Sequence, residues 1–206
     1  MLGCPSPDWR PQLQTIAHDV DIVDPGLLFA DRASGLQAEE DQHDFGEKRY
    51  DLCVAIGTLD TVNDVRLALQ SIGRALRSDA PLIGAIAGGN SLPKLRASLI
   101  EAGRSTGRVA GRTHPRIEAA TLAQLLSTAG FSMPVVDVDR IRLRYENLDK
   151  LVSDLRSMAA TNILAQRPPV MSKAEALQAR MAFSALGNNG RTEEIVEILH
   201  FLAWTK

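Results

Sequence analysis

The sequence has little cysteine and histidine, the residues that most often serve redox and metal sites. Its 206 residues include two cysteines and four histidines. Cys4 and Cys53 lie far apart with no second thiol nearby, which excludes a CxxC redox pair and a cysteine zinc site. We interpret both as buried thiols of a reduced, cytoplasmic protein. His18, His43 and His200 are isolated and share no metal-ligand spacing, so we predict no metal site.

Long apolar runs and a strong net charge are also missing. The longest apolar candidate, residues 195–204, is shorter than the ~20 residues that span a bilayer, and it contains Glu197 and His200. We also find no signal-peptide pattern. A net charge of −2 and a pI near 6.1 give no electrostatic reason to expect nucleic acid as the main partner. We predict neither a membrane span nor nucleic-acid binding.

The segment 50–90 predicts a strand, a crossover helix and a second strand. Residues 50–56 are mainly apolar, which suits a strand of a parallel sheet that is covered on both faces. Residues 63–76 carry an apolar stripe at helical spacing, formed by Val65, Leu69, Ile72 and Leu76. The start of this helix could be capped by Thr61 or Asn63. Residues 82–87 predict the second strand, and we expect the usual right-handed connection between the two strands.

The first residues predict a shorter set of elements. Residues 1–4 resemble the tail of a strand, residues 8–17 suit a helix, and residues 20–23 suit a strand that ends on Asp24. Nucleotide-binding sheets hold a ribose through an acid in this position. Asp24 could equally be only the first residue of a turn with Pro25 and Gly26.

An acidic loop follows the next short strand, residues 36–38. It contains Glu39, Glu40 and Asp41. Its backbone amides would be well placed to meet a purine lying across the strand ends. Three adjacent acids are also common in an ordinary solvated loop, so both interpretations stay open.

Four polar residues are candidates for contact with a substrate. Asp60 and Asn63 follow the end of the first central strand, where ligands of such sheets bind. His114 lies in the segment 104–116, whose Gly, Arg and Thr content predicts a mobile loop. Tyr145 ends a predicted strand. The alternatives are a helix cap for Asn63, an exposed loop position for His114 and a strand aromatic for Tyr145.

The remaining elements complete a single predicted domain of 206 residues. We assign residues 1–90 to a cofactor-binding half and residues 91–206 to a substrate-side half. The second half includes a helical insertion at residues 147–187 and a last strand at residues 194–204. No G-x-S-x-G motif occurs, so the elbow of a serine hydrolase is lacking.

Seven segments together resemble one known group of proteins: Asp51–Val54, Val62–Asp64, Gly84–Arg96, Ala129–Phe131, Val136–Asp139, Asp154–Met158 and Thr161–Asn162. They resemble class I S-adenosylmethionine-dependent methyltransferases. Within that class they resemble the subgroup of the methyltransferase-like mitochondrial complex I assembly factor, an arginine hydroxylase, and its bacterial relatives. The resemblance implies an α/β Rossmann-like three-layer sandwich with a mostly parallel sheet, an antiparallel C-terminal strand and an incomplete first strand.

The resemblance also implies a cofactor and a set of residues that hold it. The cofactor would be S-adenosylmethionine, and the acceptor a small molecule or a protein. Gly3, Asp24 and the loop around Glu39 and Glu40 would lie at the amino acid, ribose and adenine ends of the cofactor, with Gly57 beside them. These assignments are expectations that the resemblance gives, with no catalytic acid or base among them.

The sequence departs from this family at the cofactor turn. Pro5 and Pro7 stand where the family has glycines. Proline has a ring and no N–H, so it neither admits a close ligand nor donates to it. Two further interpretations therefore remain open: a non-catalytic binding or assembly factor with the same fold and, by analogy with the assembly factor, a protein arginine hydroxylase.

Overall fold

The computed structural model describes residues 1–3, 6, 8–59, 61–107, 111–158, 160 and 168–206. Cys4, Pro5, Pro7, Asp60 and the segment Thr161–Asn162, which enter the predictions above, lie outside the described residues. The chain divides into two compact units, each made of separate stretches of sequence. The first unit comprises Met1–Gly88, Ile117–Asp139 and Ile198–Lys206, and the second comprises Gly89–Arg116 and Arg140–Glu197.

Helices and strands alternate along most of the chain. In order they are α1 (Trp9–Leu13), β1 (Val23–Asp24), α2 (Leu27–Arg32), β2 (Leu36–Gln37), β3 (Cys53–Ile56), α3 (Val65–Ala75), β4 (Pro81–Ala87), α4 (Pro93–Ser105), α5 (Ala119–Thr128), β5 (Ser132–Tyr145), α6 (Leu148–Ser157), α7 (Lys173–Ala185) and β6 (Thr192–Trp204). Within the described residues, none of the helices has the length and apolarity needed to cross a bilayer.

The strand pairings confirm the predicted type of sheet. Four strands pair in the order β3, β4, β6, β5. Strands β3 and β4 are parallel, whereas β4 and β6 are antiparallel. Strands β1 and β2 form a parallel pair, and Leu2 makes parallel bridges to both Val23 and Ala55. Leu2 therefore occupies the place of the incomplete first strand that the sequence predicted.

The core of the first unit lies between the sheet and helices α3 and α5. The predicted stripe of α3 is confirmed, because Leu69 and Ile72 are buried in this core. They join Leu82 of β4 and Phe201 of β6. Gly84 makes the packing possible: a Cβ atom at this position would lie 2.3 Å from the Phe201 ring.

One helix start differs from the prediction. Helix α3 is capped by Asp64, whose carboxylate accepts from the Leu67 N–H at 2.9 Å, and by neither Thr61 nor Asn63. The cap lies one residue after Asn63 because Asp64 directly precedes the first turn of α3. Its short side chain can therefore accept from a free N–H group of that turn. Helix α7 does begin with a capping box, formed by Ser172 and Glu175.

The N-terminal elements are shorter than predicted. Strand β1 contains only Val23 and Asp24, where the sequence predicted a strand over residues 20–23. A strand exists only where a neighbour supplies hydrogen bonds, and within the described residues the strand neighbours of β1 are Leu2 and the two residues of β2. Helix α1 ends at Leu13 and buries none of its residues.

The second unit has a core of its own. Helices α4 and α7 pack closely, and α6 packs against α7. Between them lie apolar side chains from all three helices together with Tyr145 of β5: Leu92, Leu95, Ala102, Leu148, Leu151, Ala179 and Phe183. The predicted insertion at residues 147–187 thus contains two helices that build this core.

Candidate functional site

Two glycines lie where the first unit's strands end, and both have left-handed backbones. Gly3 has φ +71° and donates its N–H to the Val23 oxygen at 2.9 Å. A Cβ atom on Gly3 would lie 2.3 Å from the Ile56 oxygen, so no other residue fits. Gly57 has φ +72°, and a Cβ atom there would meet nothing within 4 Å. Gly57 therefore faces open space at the end of β3.

Asp24 ends β1 with a buried carboxylate. Its side chain is 5% exposed, and Oδ1 accepts from the Gly26 N–H at 2.7 Å. This hydrogen bond closes the turn that one interpretation of the sequence predicted. This hydrogen bond does not test the other interpretation, in which the same carboxylate holds a ribose hydroxyl.

Glu40 is the most unusual group of the first unit. It is fully buried, and neither carboxylate oxygen has a hydrogen-bond partner within the described residues. Burial raises the pKa of Glu40 to about 7, and the negative charges of Glu39 and Asp24 add to the increase. The Thr58 hydroxyl and the backbone N–H of Glu40 itself act to lower this pKa, but Thr58 makes no hydrogen bond of normal geometry with Glu40.

Two more polar atoms near the strand ends are buried without partners. The Thr58 hydroxyl has none in the described part of the chain. Asp41 uses Oδ2 to accept from the Asp64 N–H at 3.0 Å, while its Oδ1 is buried and has no partner there. Sequence reasoning missed Thr58, although its place directly after Gly57 at a strand end was a usable signal.

These groups define a site in which acceptor oxygens outnumber donors, since among the unpaired groups only the Thr58 hydroxyl can donate. Buried polar atoms in native proteins are nearly always paired, so unpaired ones suggest a ligand or water that completes them. Carboxylate oxygens and a hydroxyl would accept from N–H or O–H groups, and a carboxylate would favour a positive charge. The described residues contain no group of three or more side chains that could hold a metal ion. The arrangement suits an organic ligand rich in donors.

The candidate substrate contacts are dispersed over the two units. Asn63 is exposed in the first unit. In the second unit, His114 is half-buried, and its Nδ1 lies 2.9 Å from the Pro115 oxygen. Tyr145 is buried in that unit's core, where burial and the Asp154 carboxylate raise its pKa. Its placement matches the strand aromatic that the sequence offered as the alternative.

A groove of the first unit lies at the other end of the sheet. Its volume is about 590 Å³. Its lining comes from the C-terminal ends of two helices and the residues after β6, among them Gly73, Arg74, Phe131, Thr205 and Lys206. This is the amino end of β4, whereas ligands of such sheets bind at the carboxyl ends. We therefore place no cofactor in this groove.

Solved structures identify the class of this fold. An S-adenosylmethionine-dependent methyltransferase of Mesorhizobium loti superposes with a TM-score of 0.50 at 15% identity, covering 98% of this chain and 88% of that one. The chain thus has the Rossmann-like fold of class I methyltransferases, as its sequence predicted. No protein-family model matches the chain.

Proteins with related sequences give a more specific comparison than the fold does. The chain is a homologue of the mitochondrial arginine-hydroxylase NDUFAF5 of Danio rerio, with 29% identity over 175 residues, 84% of this chain and 54% of the relative. It is also 29% identical over 202 residues to the malonyl-[acyl-carrier protein] O-methyltransferase of Laribacter hongkongensis, covering 96% of this chain and 66% of that protein. The predicted resemblance is confirmed. The chain spans about half the length of its NDUFAF5 relatives.

Proposed function

We propose that this chain binds S-adenosylmethionine at the strand ends of its first unit and serves in methyl transfer. One observation carries the proposal: the carboxylate of Glu40 is fully buried and unpaired, near the negative charge of Asp24. A protein retains such a group at a cost in stability unless a ligand completes it. S-adenosylmethionine has hydroxyl and amine donors and a positive sulfonium, which are the features that this site lacks.

Each residue of the site would contact a different part of the cofactor. Asp24 would hold the ribose hydroxyls, and the loop of Glu39 and Glu40 would lie at the adenine. Gly3 and Gly57 would allow the close approach of the amino acid end, since neither has a side chain. When bound, the cofactor supplies an electrophilic methyl group on its sulfonium.

The acceptor that we propose is a small molecule or a protein. Many methyl transfers need no catalytic acid or base, since holding the donor and the acceptor in line supplies much of the rate. Asp60, Asn63, His114 and Tyr145 stay candidates for acceptor contact. We also propose the cytoplasm as the compartment, from the cysteine content; Cys53, the described cysteine, is free and its pKa is raised by burial to about 11.

A second function is supported by the cofactor turn itself. The Gly3 amide is already bonded to the Val23 oxygen, and Pro5 and Pro7 carry no N–H. The turn therefore offers a ligand fewer donors than a glycine-rich turn does. A chain that has lost the cofactor but kept the fold would act as a binding or assembly factor. Arginine hydroxylation, the activity in the name of the NDUFAF5 relatives, is a third and weaker proposal.

Calorimetric titration separates these functions. We expect S-adenosylmethionine and S-adenosylhomocysteine to bind the wild-type chain at micromolar concentrations. Asp24→Asn and Glu40→Gln should each weaken binding at least about tenfold, since each removes a charged acceptor, roughly 1.4 kcal/mol or more. Glu47→Gln changes an exposed glutamate and serves as the matched control.

Two results of the titration would contradict these expectations. No heat from either ligand up to about millimolar concentration would leave only the binding or assembly function. Binding that survives both substitutions would move the cofactor away from Asp24 and Glu40.

A further inference from the structure

Glu40 carries a carboxyl group whose ionisation is opposed by its surroundings. Both of its oxygens are buried, and neither has a hydrogen-bond partner among the described residues. A charged group without donors is costly to bury, so a carboxyl in this position keeps its proton until something compensates the charge. When no ligand is bound, we therefore expect Glu40 to be mainly a neutral acid below pH 7.

The charged and titratable groups that act on Glu40 come from its own loop and from two strands. Glu39 precedes it in the loop and Asp24 ends β1, and both negative charges add to the effect of burial. Cys53 of β3 is near enough for the Glu40 charge to act on it, but burial raises the pKa of this thiol to about 11, so Cys53 stays neutral near pH 7. Burial and the two charges raise the pKa of Glu40 to about 7.

A ligand at the strand ends would supply the missing donors. The Thr58 hydroxyl and Oδ1 of Asp41 are also buried without partners in the described part of the chain, and Gly57 beside Thr58 faces open space. N–H and O–H donors hydrogen-bond more strongly to a carboxylate than to a neutral carboxylic acid. Donors from a ligand would therefore lower the pKa of Glu40, and its proton would leave when the ligand binds.

We propose that cofactor binding is coupled to the loss of one proton from Glu40, which is a neutral acid in the free chain and a carboxylate in the complex. The proton passes to the solvent, and no other reactant is needed. This inference rests on the proposed function, since it takes the proposed cofactor as the ligand. Occupancy of the site would then rise with pH across the neutral range.

The sign of the effect follows from which state holds the proton. The pKa of Glu40 is about 7 in the free chain, and the complex would bind the proton only at lower pH, so binding releases it. We expect a release of about 0.9 proton per ligand at pH 6, about 0.5 at pH 7 and about 0.1 at pH 8. The dissociation constant should accordingly be about tenfold larger at pH 6 than at pH 8.

Titration calorimetry counts these protons. S-adenosylhomocysteine is titrated into the wild-type chain at the three pH values, each time in phosphate and in imidazole, two buffers that differ in their enthalpy of ionisation. The difference in heat between the buffers gives the number of protons released. Affinities from the same titrations give the dependence of binding on pH.

Two variants serve as controls. Glu40→Gln has no titratable proton at position 40, so its weaker affinity should be the same at all three pH values. Any ionisation of the ligand itself is common to both proteins and is removed by the comparison. Glu47→Gln changes an exposed glutamate and should release protons as the wild type does.

Carbon-13 NMR gives a second measurement, which does not need the Glu40→Gln variant to bind. The protein is labelled at the side-chain carboxyls of its glutamates, and the Glu40 signal is the one that is missing from the spectrum of Glu40→Gln. In the free chain we expect this signal to titrate near pH 7. With saturating ligand it should keep the chemical shift of a carboxylate down to about pH 6.

Three results would overturn the proposal. The first is binding whose affinity does not change with pH. The second is affinity that falls as pH rises, because the ligand would then bind the neutral acid. The third is the same dependence on pH in Glu40→Gln, which would assign the proton to another group. Absence of binding at every pH is a distinct outcome, since it removes the proposed cofactor and the coupling together with it.

Discussion

Two buried glutamates, one in each unit, differ in the hydrogen bonds that they accept. In the second unit, Glu194 accepts from the N–H groups of Lys94 and Leu95, in the first turn of α4. In the first unit, Glu40 is as deeply buried and has no partner within the described residues. Burial alone therefore does not mark a functional carboxylate in this protein. The number of donors around it distinguishes a structural acid from a candidate ligand group.

The same contrast appears in the energetics. Glu194 satisfies two amides that a helix start leaves unpaired, which offsets much of the cost of its own burial. Burial still raises the pKa of Glu194, and the amides of Leu95 and Lys94 act against that increase. Glu40 has no such partner among the described residues, and its burial outweighs the pKa-lowering effects of Thr58 and of its own backbone N–H, so a proton or a ligand would relieve it. Glu194 therefore stabilises the second unit, whereas Glu40 lowers the stability of the first unit when no ligand is bound.

The largest effect is expected from removing the structural acid. Glu194→Ala leaves two buried or half-buried amides of α4 without an acceptor, and we expect a loss of about 3–4 kcal/mol in the free energy of unfolding. Urea denaturation followed by circular dichroism measures it. Glu193→Ala is the control, because Glu193 makes only an exposed ion pair with Arg144, worth less than about 1 kcal/mol. Equal losses in the two variants would remove the distinction between the acids.

Glu40→Gln should raise the free energy of unfolding, which is the opposite of the effect expected for Glu194→Ala. The pKa of Glu40 is raised from 4.5 to about 7 in the folded chain. The folded state therefore binds more protons than the unfolded state between these values, and stability falls as pH rises through that window. Glu40→Gln should stabilise the protein without ligand by about 3 kcal/mol at pH 8 and by almost nothing at pH 4.

Denaturation curves at the two pH values test this directly, with Glu47→Gln as the exposed control. A variant that is less stable than the wild type at pH 8 would mean that Glu40 has donors around it in solution. The comparison between the units would then be wrong.

The smallest effect is expected at the start of α7. Ser172 accepts from the Glu175 N–H at 3.2 Å, and the Glu175 carboxylate accepts from the Ser172 N–H at 2.7 Å. Ser172→Ala removes one half of this capping box and should cost about 1 kcal/mol. Ser172→Asp keeps an acceptor at the same place and should restore most of the loss in a thermal melt. A loss of several kcal/mol that Asp does not restore would contradict the capping role.

The sequence predicts most of what depends on local patterns. The stripe of α3 is visible because its apolar residues recur within a few positions of one another. The division into two units is not visible, since stretches from separate parts of the chain make up each unit. In the same way, the pairing of Glu194 with α4 joins residues about a hundred positions apart, beyond the range of any spacing rule.

The candidate site shows the same limit. Asp24 and Glu40 could be proposed from their places after predicted strands, and the structure places both in the first unit with buried side chains. That Glu40 lacks donors could not be predicted, because the absence depends on every neighbour it meets on folding. Tyr145 could not be assigned to a core or to a site from sequence, because alternation along a strand does not say which face is covered.

The position of β6 has a consequence for the way the sheet forms. It follows both of its neighbours in sequence and yet lies between them. During synthesis, β4 and β5 leave the ribosome before β6 does. Until β6 emerges and inserts between them, each has an edge without a hydrogen-bonded neighbour. Nascent chains of this protein therefore pass through an interval in which β4 can pair with the wrong strand, and a chaperone that shields that edge would be of most use at this stage.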